Sequence, residues 1–368
     1  GRGFYILDDY SPLRGLGKET FEKDAQLFAV KDAWMFIPSL PLGLRDKGHM
    51  GSSYYAADNP AVGAVFTWWL KEDIKTLKKQ RQEAEKAKAD KKEVVYYPDI
   101  EALRKEDEQP EPYILFTITD ASGDVVRHIK TSATKGLKRL VWDFRYNNPA
   151  PVVGRFTPAP DQLFGEAEKG HLALPGQYSV SISKYEDGVL TPIAGPVSFT
   201  AKSLNNASLP ATDRQAYLDF CKKISRLRKA VSAAGNIRAE MNGKLGNIQS
   251  ALMDMPAAPK EMLKQVYDLS RRLSALQIQF SGDATLARRE FETPPSLFGR
   301  IGLIEDGMWN STAAPTETFK ENYAIAAKQF GPLLDEMKAV AKEIEALEKQ
   351  LELNGAPATP GRWPDWKE

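Results

Sequence analysis

The hydrophobic period of this chain switches from strand-like to helical between residues 201 and 212. Residues 113–201 alternate apolar and polar side chains between closely spaced turn residues, which is the period-2 signature of half-buried strands. Residues 212–353 repeat apolar side chains every three or four positions, the signature of amphipathic helices. The chain is therefore expected to build a β region followed by an α region.

Within the first region, Ala64–Leu70 and Tyr113–Thr119 read as strands, the latter closed by the turn Asp120-Ala-Ser-Gly-Asp124 and answered by Val125–Ile129. Gly136–Tyr146 alternates, with Lys138, Leu140, Trp142 and Phe144 facing one way. Leu174–Ser183 places Tyr178, Val180 and Ile182 on one face, and Val189–Ile193 and Val197–Ala201 complete the set. Short strands at this spacing indicate an immunoglobulin- or fibronectin type III-like β-sandwich, expected over residues 61–203. Residues 71–93 interrupt it with nine basic and six acidic side chains and few large apolar ones. They begin a charged helical insertion, about residues 71–108, read as a solvated arm. Ahead of it, residues 1–60 offer one strand, Phe4–Leu7, and ordered Gly-, Pro- and aromatic-rich loop.

The second region is expected to be an antiparallel three-helix bundle over residues 212–355. Thr212 and Gln215 have the spacing of a capping box. Behind them Tyr217, Phe220, Ile224, Leu227, Val231, Ala234, Ile237, Met241, Leu245, Ile248 and Leu252 make one stripe. A second helix carries Met262, Val266, Leu269, Leu273, Leu276 and Phe280. A third carries Phe330, Leu333, Met337, Val340, Ile344, Leu347 and Leu351. Residues 283–315 read as a long connection, and residues 356–368 as a Trp/Pro tail.

Composition narrows the function. Fifty Lys and Arg against 49 Asp and Glu leave a net charge of +1, unlike a dedicated nucleic-acid binder. In the insertion, acids interleave with the bases, which again argues against nucleic acid. No apolar run is long enough to span a bilayer. The single cysteine, Cys221, sits on an apolar helix face and reads as a small buried residue; with three scattered histidines it leaves no Cys/His zinc cluster. No metal or cofactor is expected. The chain starts at Gly1 without an initiator Met or signal peptide, so it is expected to be a fragment or processed form.

No catalytic constellation is legible. There is no Gly-x-Ser-x-Gly elbow, and Gly1–Gly3 and Gly299–Gly302 match no phosphate loop. Asp8, Asp9 and Asp143 are acids at strand ends without an obvious partner, although a glycosidase pair is a spatial property. Asp120 and Asp124 bracket a hairpin turn and lack the final Glu of a calcium loop. Asn206 and Asn310 begin formal glycosylation sequons. The binding candidates are aromatic. Trp68 and Trp69 point to opposite faces of one strand, so one belongs to the core and the other is a possible platform. Tyr146 is a further glycan-stacking candidate, and Trp363 and Trp366 in the tail either dock back on the protein or bind a partner.

Several blocks resemble a known family. Residues 1–14, Gly-Arg-Gly-Phe-Tyr-Ile-Leu-Asp-Asp-Tyr-Ser-Pro-Leu-Arg, are similar to the closing propeller strand of bacterial sortilin/VPS10-like BNR-repeat proteins, often labelled glycosyl hydrolases. Asn59–Thr67, Lys135–Tyr146, Leu174–Val180 and Trp309–Thr316 follow in the family's order. Asp120–Arg127, Gly136–Asp143 and Pro175–Tyr178 also resemble the Ig-like domain of flagellar hook-capping proteins. The resemblance implies an exported bacterial protein, periplasmic, outer-membrane-associated or extracellular. It implies a non-catalytic C-terminal region that packs on its own propeller or binds another exported or outer-membrane protein. Two alternatives stand beside it: part of a secreted glycoside hydrolase or peptidase whose active site lies in the propeller, and a carbohydrate-binding sandwich.

Overall fold

A computed structural model describes residues 9–38, 51, 59–151, 169–207, 209–255, 259–364 and 366. The expected strand Phe4–Leu7, Asp8 and most of the Pro-rich loop from 149 lie outside them. The chain divides into two compact units, residues 1–147 with 172–208, and residues 148–171 with 209–368.

The first unit contains α1 (Ser11–Arg14), α2 (Lys18–Glu22), β1 (Ala25–Leu27), β2 (Ala33–Met35), β3 (Ala64–Leu70), α3 (Leu77–Asp90) and α4 (Ile100–Glu108). It continues with β4 (Tyr113–Asp120), β5 (Val125–Ser132), β6 (Gly136–Trp142), β7 (Gly176–Glu186) and β8 (Val189–Ser203). The strands form a three-stranded sheet, β1-β3-β6, and a five-stranded curled sheet, β2-β8-β7-β4-β5. All pairings are antiparallel except β2 with β8, where Ala33 sits opposite Ala201. Segments expected to be loop, residues 25–27 and 33–35, thus extend both sheets. The two expected strands after Asp187 are one continuous strand, β8, which runs through Pro192 and Pro196.

Both sheets turn their apolar faces into one core. Phe66 of the smaller sheet stacks on Phe116 of the larger at 6.0 Å, and Trp68 meets Phe116 edge-on at 5.7 Å. Trp142 is fully buried, with Tyr178 at 5.0 Å and Phe199 at 6.1 Å, and its indole N–H donates to the Arg145 carbonyl. Alternation dictates this arrangement: in β7 the buried residues are Tyr178, Val180 and Ile182, with serines between them on the outer face. The turn residues act as their chemistry suggests. Asp120 Oδ1 accepts from the Ser122 and Asp124 amides, and Asp143 Oδ1 accepts from the Arg145 amide.

The charged insertion is a pair of helices. Thr76 and Asp99 cap α3 and α4 by accepting from the Lys79 and Ala102 amides. Arg81 of α3 joins the pair through two hydrogen bonds to Glu106 of α4, at 2.6 and 2.8 Å, and bonds Glu85 within its own helix. The fork explains how Glu106 is buried on an otherwise polar helix.

The second unit holds α5 (Arg214–Met253), α6 (Lys260–Ser281), α7 (Ala284–Ala287), α8 (Leu297–Trp309) and α9 (Glu317–Leu353). Every apolar residue named for the second and third expected helices is buried. In α5, Ile237 is exposed and Phe220 half-buried, while Leu218, Cys221 and Ala251 join the buried stripe. The N-cap of α5 is Asp213, which accepts from the Ala216 amide, so the expected Thr212–Gln215 capping box is not formed. The expected 283–315 connection contains α8, which buries Leu297, Ile301, Ile304, Met308 and Trp309. Ion pairs link the long helices: Arg272 of α6 reaches Glu336 and Glu343 of α9, and Lys244 of α5 reaches Glu348 of α9.

Candidate functional site

Asp9 and Asp143, the described acids among the hydrolysis candidates, serve the backbone. Asp9 accepts from the Ser11 amide and hydroxyl at the start of α1, and these bonds hold its carboxyl below the usual range against the opposing effect of burial. Asp120, Asp124 and Asp143 are turn residues. Among the described residues, no group of three His, Cys, Asp or Glu side chains could hold a metal ion. The Cys221 thiol is fully buried, and that burial pushes it up to about 12, far from thiolate chemistry at neutral pH.

The aromatic candidates separate into three settings. Trp68 is 1% exposed and belongs to the core, so contrary to expectation it presents no face to a ligand and is not a binding residue. Trp69, on the opposite face of β3, is half-buried beneath the edge of Phe21, with ring centroids 5.0 Å apart and planes nearly perpendicular. Its indole N–H is also buried and is not offered to a ligand. Tyr146 is half-buried; burial, with Asp120 and Asp124 adding to it, raises its hydroxyl to about 12. These three residues form no coplanar exposed platform.

The tail residues are different. Trp363 is 90% exposed and Trp366 82% exposed. The stretch before them docks instead: Arg362 pairs with Glu352 of α9 at 2.8 Å and donates to the Ala356 and Pro357 carbonyls. The arginine anchors the tail and the tryptophans remain on its surface.

A further exposed apolar cluster was not singled out from sequence. Between α3 and α4, Val94, Val95, Tyr96 and Tyr97 are all exposed, the tyrosines at 81% and 86%. Glycine-like geometry at Lys92 (φ 59°) ends α3, with the Glu93 amide returning to the Lys88 carbonyl. Pro98 and the Asp99 cap then start α4. The sequence signal was available: four consecutive β-prone apolar residues inside an otherwise charged insertion.

The comparisons with known proteins add no analogue: no family model, no curated protein and no solved structure matches the chain. Among the described residues, no helix is long and apolar enough to cross a membrane.

Proposed function

We propose that the chain is a non-catalytic accessory region of an exported bacterial β-propeller protein, packing on that propeller or binding a protein partner. In this reading the two sheets are an Ig- or fibronectin III-like sandwich, and α5, α6 and α9 are an antiparallel bundle braced by α8. The observation that carries it is the distribution of exposed aromatics. The four most exposed of them, Tyr96, Tyr97, Trp363 and Trp366, lie at the tip of the α3–α4 arm and in the tail, while Trp68, Trp69 and Tyr146 are built into the fold. Exposed Tyr and Trp clusters are typical anchors of protein interfaces. The position of Asp9, Asp120 and Asp143 in local turns supports an accessory role over a hydrolytic one.

The test is a glycan array together with a panel of chromogenic glycosides and peptides, both applied to the purified chain. Neither retention nor turnover is expected. Glycan binding lost in Trp69→Ala or Tyr146→Ala would move the reading to a carbohydrate-binding sandwich. Turnover abolished by a single Asp→Asn change would make it a hydrolase.

A further inference from the structure

We propose that the tip of the α3–α4 arm pairs with the same segment of a second copy of this chain, as a short antiparallel strand pair centred on Val95. This goes beyond the accessory reading, because it names what the arm holds, and its test needs only the purified chain.

Four observations carry it. First, residues 93–98 lie between helices without regular structure, and the Val94–Tyr97 amides and carbonyls make no backbone hydrogen bond among the described residues. These are unpaired donors and acceptors on residues with strong β preference, the condition that invites strand addition. Second, the tip is electrically balanced. Lys86, Lys88, Lys91 and Lys92 are matched by Asp90, Glu93, Asp99 and Glu101. That balance favours a protein strand over an anionic lipid surface, which draws on a basic excess.

Third, the ends of the segment are complementary to themselves. Lys91 and Lys92 precede it and Asp99 follows it, so antiparallel pairing brings the lysines of one copy to the aspartate of the other. Fourth, the register is constrained. A two-fold axis through an antiparallel pair sets one residue opposite its own copy. Centred on Val95, it sets Val94 opposite Tyr96, a favourable β-branched–aromatic pair, twice. If the Val95 pair is hydrogen-bonded, Pro98 falls at a non-hydrogen-bonded position, where its missing N–H costs nothing. Centring on Tyr96 would instead oppose Glu93 to Asp99, a like-charge pair. An interface of about five residues per copy lies below the standard size, so the dimer is weak and concentration-dependent.

Sedimentation equilibrium across a wide concentration range tests the proposal. The wild-type chain should show a monomer–dimer equilibrium. Val95→Lys, which sets two ammonium groups at the axis, should weaken it by about tenfold or more. Val189→Lys, at another exposed valine, should leave it unchanged. Disulfide trapping fixes the register. Val95→Cys should cross-link under mild oxidation, since Cα atoms of a hydrogen-bonded pair lie about 5.5 Å apart, within disulfide range. Tyr97→Cys should not, because residue 97 of one copy sits four positions from residue 97 of the other, roughly 14 Å. Buried Cys221 contributes no background. A monomer at every concentration overturns the proposal. So does a dimer indifferent to Val95→Lys, or equal cross-linking at 95 and 97. Monomeric binding to phosphatidylserine vesicles that is lost in Tyr96→Ser/Tyr97→Ser overturns it in favour of a lipid surface.

Discussion

Truncating Phe116 to alanine should test whether the two sheets share one core. Phe116 is fully buried in β4, and both of its ring neighbours, Phe66 and Trp68, belong to β3 of the other sheet. Removing a buried phenyl ring costs about 3–5 kcal/mol in lost transfer energy and residual cavity. Each aromatic pair is worth about 0.5–1.5 kcal/mol beyond its area. Losing two pairs places Phe116→Ala near the upper end, about 4–5 kcal/mol. That corresponds to roughly a thousandfold rise in the opening constant of the sheets, at about 1.4 kcal/mol per decade. Native-state hydrogen exchange resolves it: amides of β3, β4 and β7 should lose protection together by that factor. Phe291→Ala, at an exposed ring, should change it by less than about 0.5 kcal/mol. A double-mutant cycle with Phe66→Leu and Phe116→Leu should give a coupling of about 0.5–1.5 kcal/mol. A coupling indistinguishable from zero, or deprotection of β4 that spares β3, would refute the shared core.

Other expectations follow from single contacts. Gly63 has φ +145°, and a Cβ there would lie 2.2 Å from the Trp142 carbonyl oxygen, so Gly63→Ala should destabilise the β3–β6 pair by about 3–5 kcal/mol, read by urea denaturation. Glu106 is held below the usual carboxylate range, chiefly by its hydrogen bonds to Arg81. With a folded value below the unfolded one, its contribution is complete above the unfolded value and fades as pH falls through the folded one. Protection factors of the α3 and α4 amides, referred to the intrinsic exchange rate at each pH, should therefore fall in acid, and Glu106→Gln should remove most of that pH dependence. Cys221 should resist a thiol reagent at pH 8 in the native state and react fully in denaturant; rapid native labelling would contradict its burial.

Much of the fold could be read from local period. The stripe from Met262 to Phe280 needed only 3–4 spacing, and Tyr178, Val180 and Ile182 needed only alternation. What escaped depends on partners distant in sequence. β2 is three residues long and owes its strand conformation to pairing with β8, some 168 positions away. Helix α8 was obscured by Gly299, Gly302 and Gly307, which weaken helix propensity. Gly307 is there for packing, since a Cβ would fall 2.3 Å from the Phe319 ring. The spacing of Leu297, Ile301, Ile304 and Met308 did carry the helical signal. For the binding candidates, alternation separated Trp68 from Trp69, but only tertiary structure brings Phe21 over Trp69. The tail was half legible: Arg362 docks, and Trp363 and Trp366 do not.

Affinity capture from an exported-protein extract, with wild-type chain and a Trp363→Ser/Trp366→Ser variant as parallel baits, tests the accessory role most directly. The account predicts recovery of a β-propeller protein or an outer-membrane assembly by the wild type and its loss from the variant. Specific recovery of glycan-bearing material with no protein partner, unchanged in the variant, would contradict it.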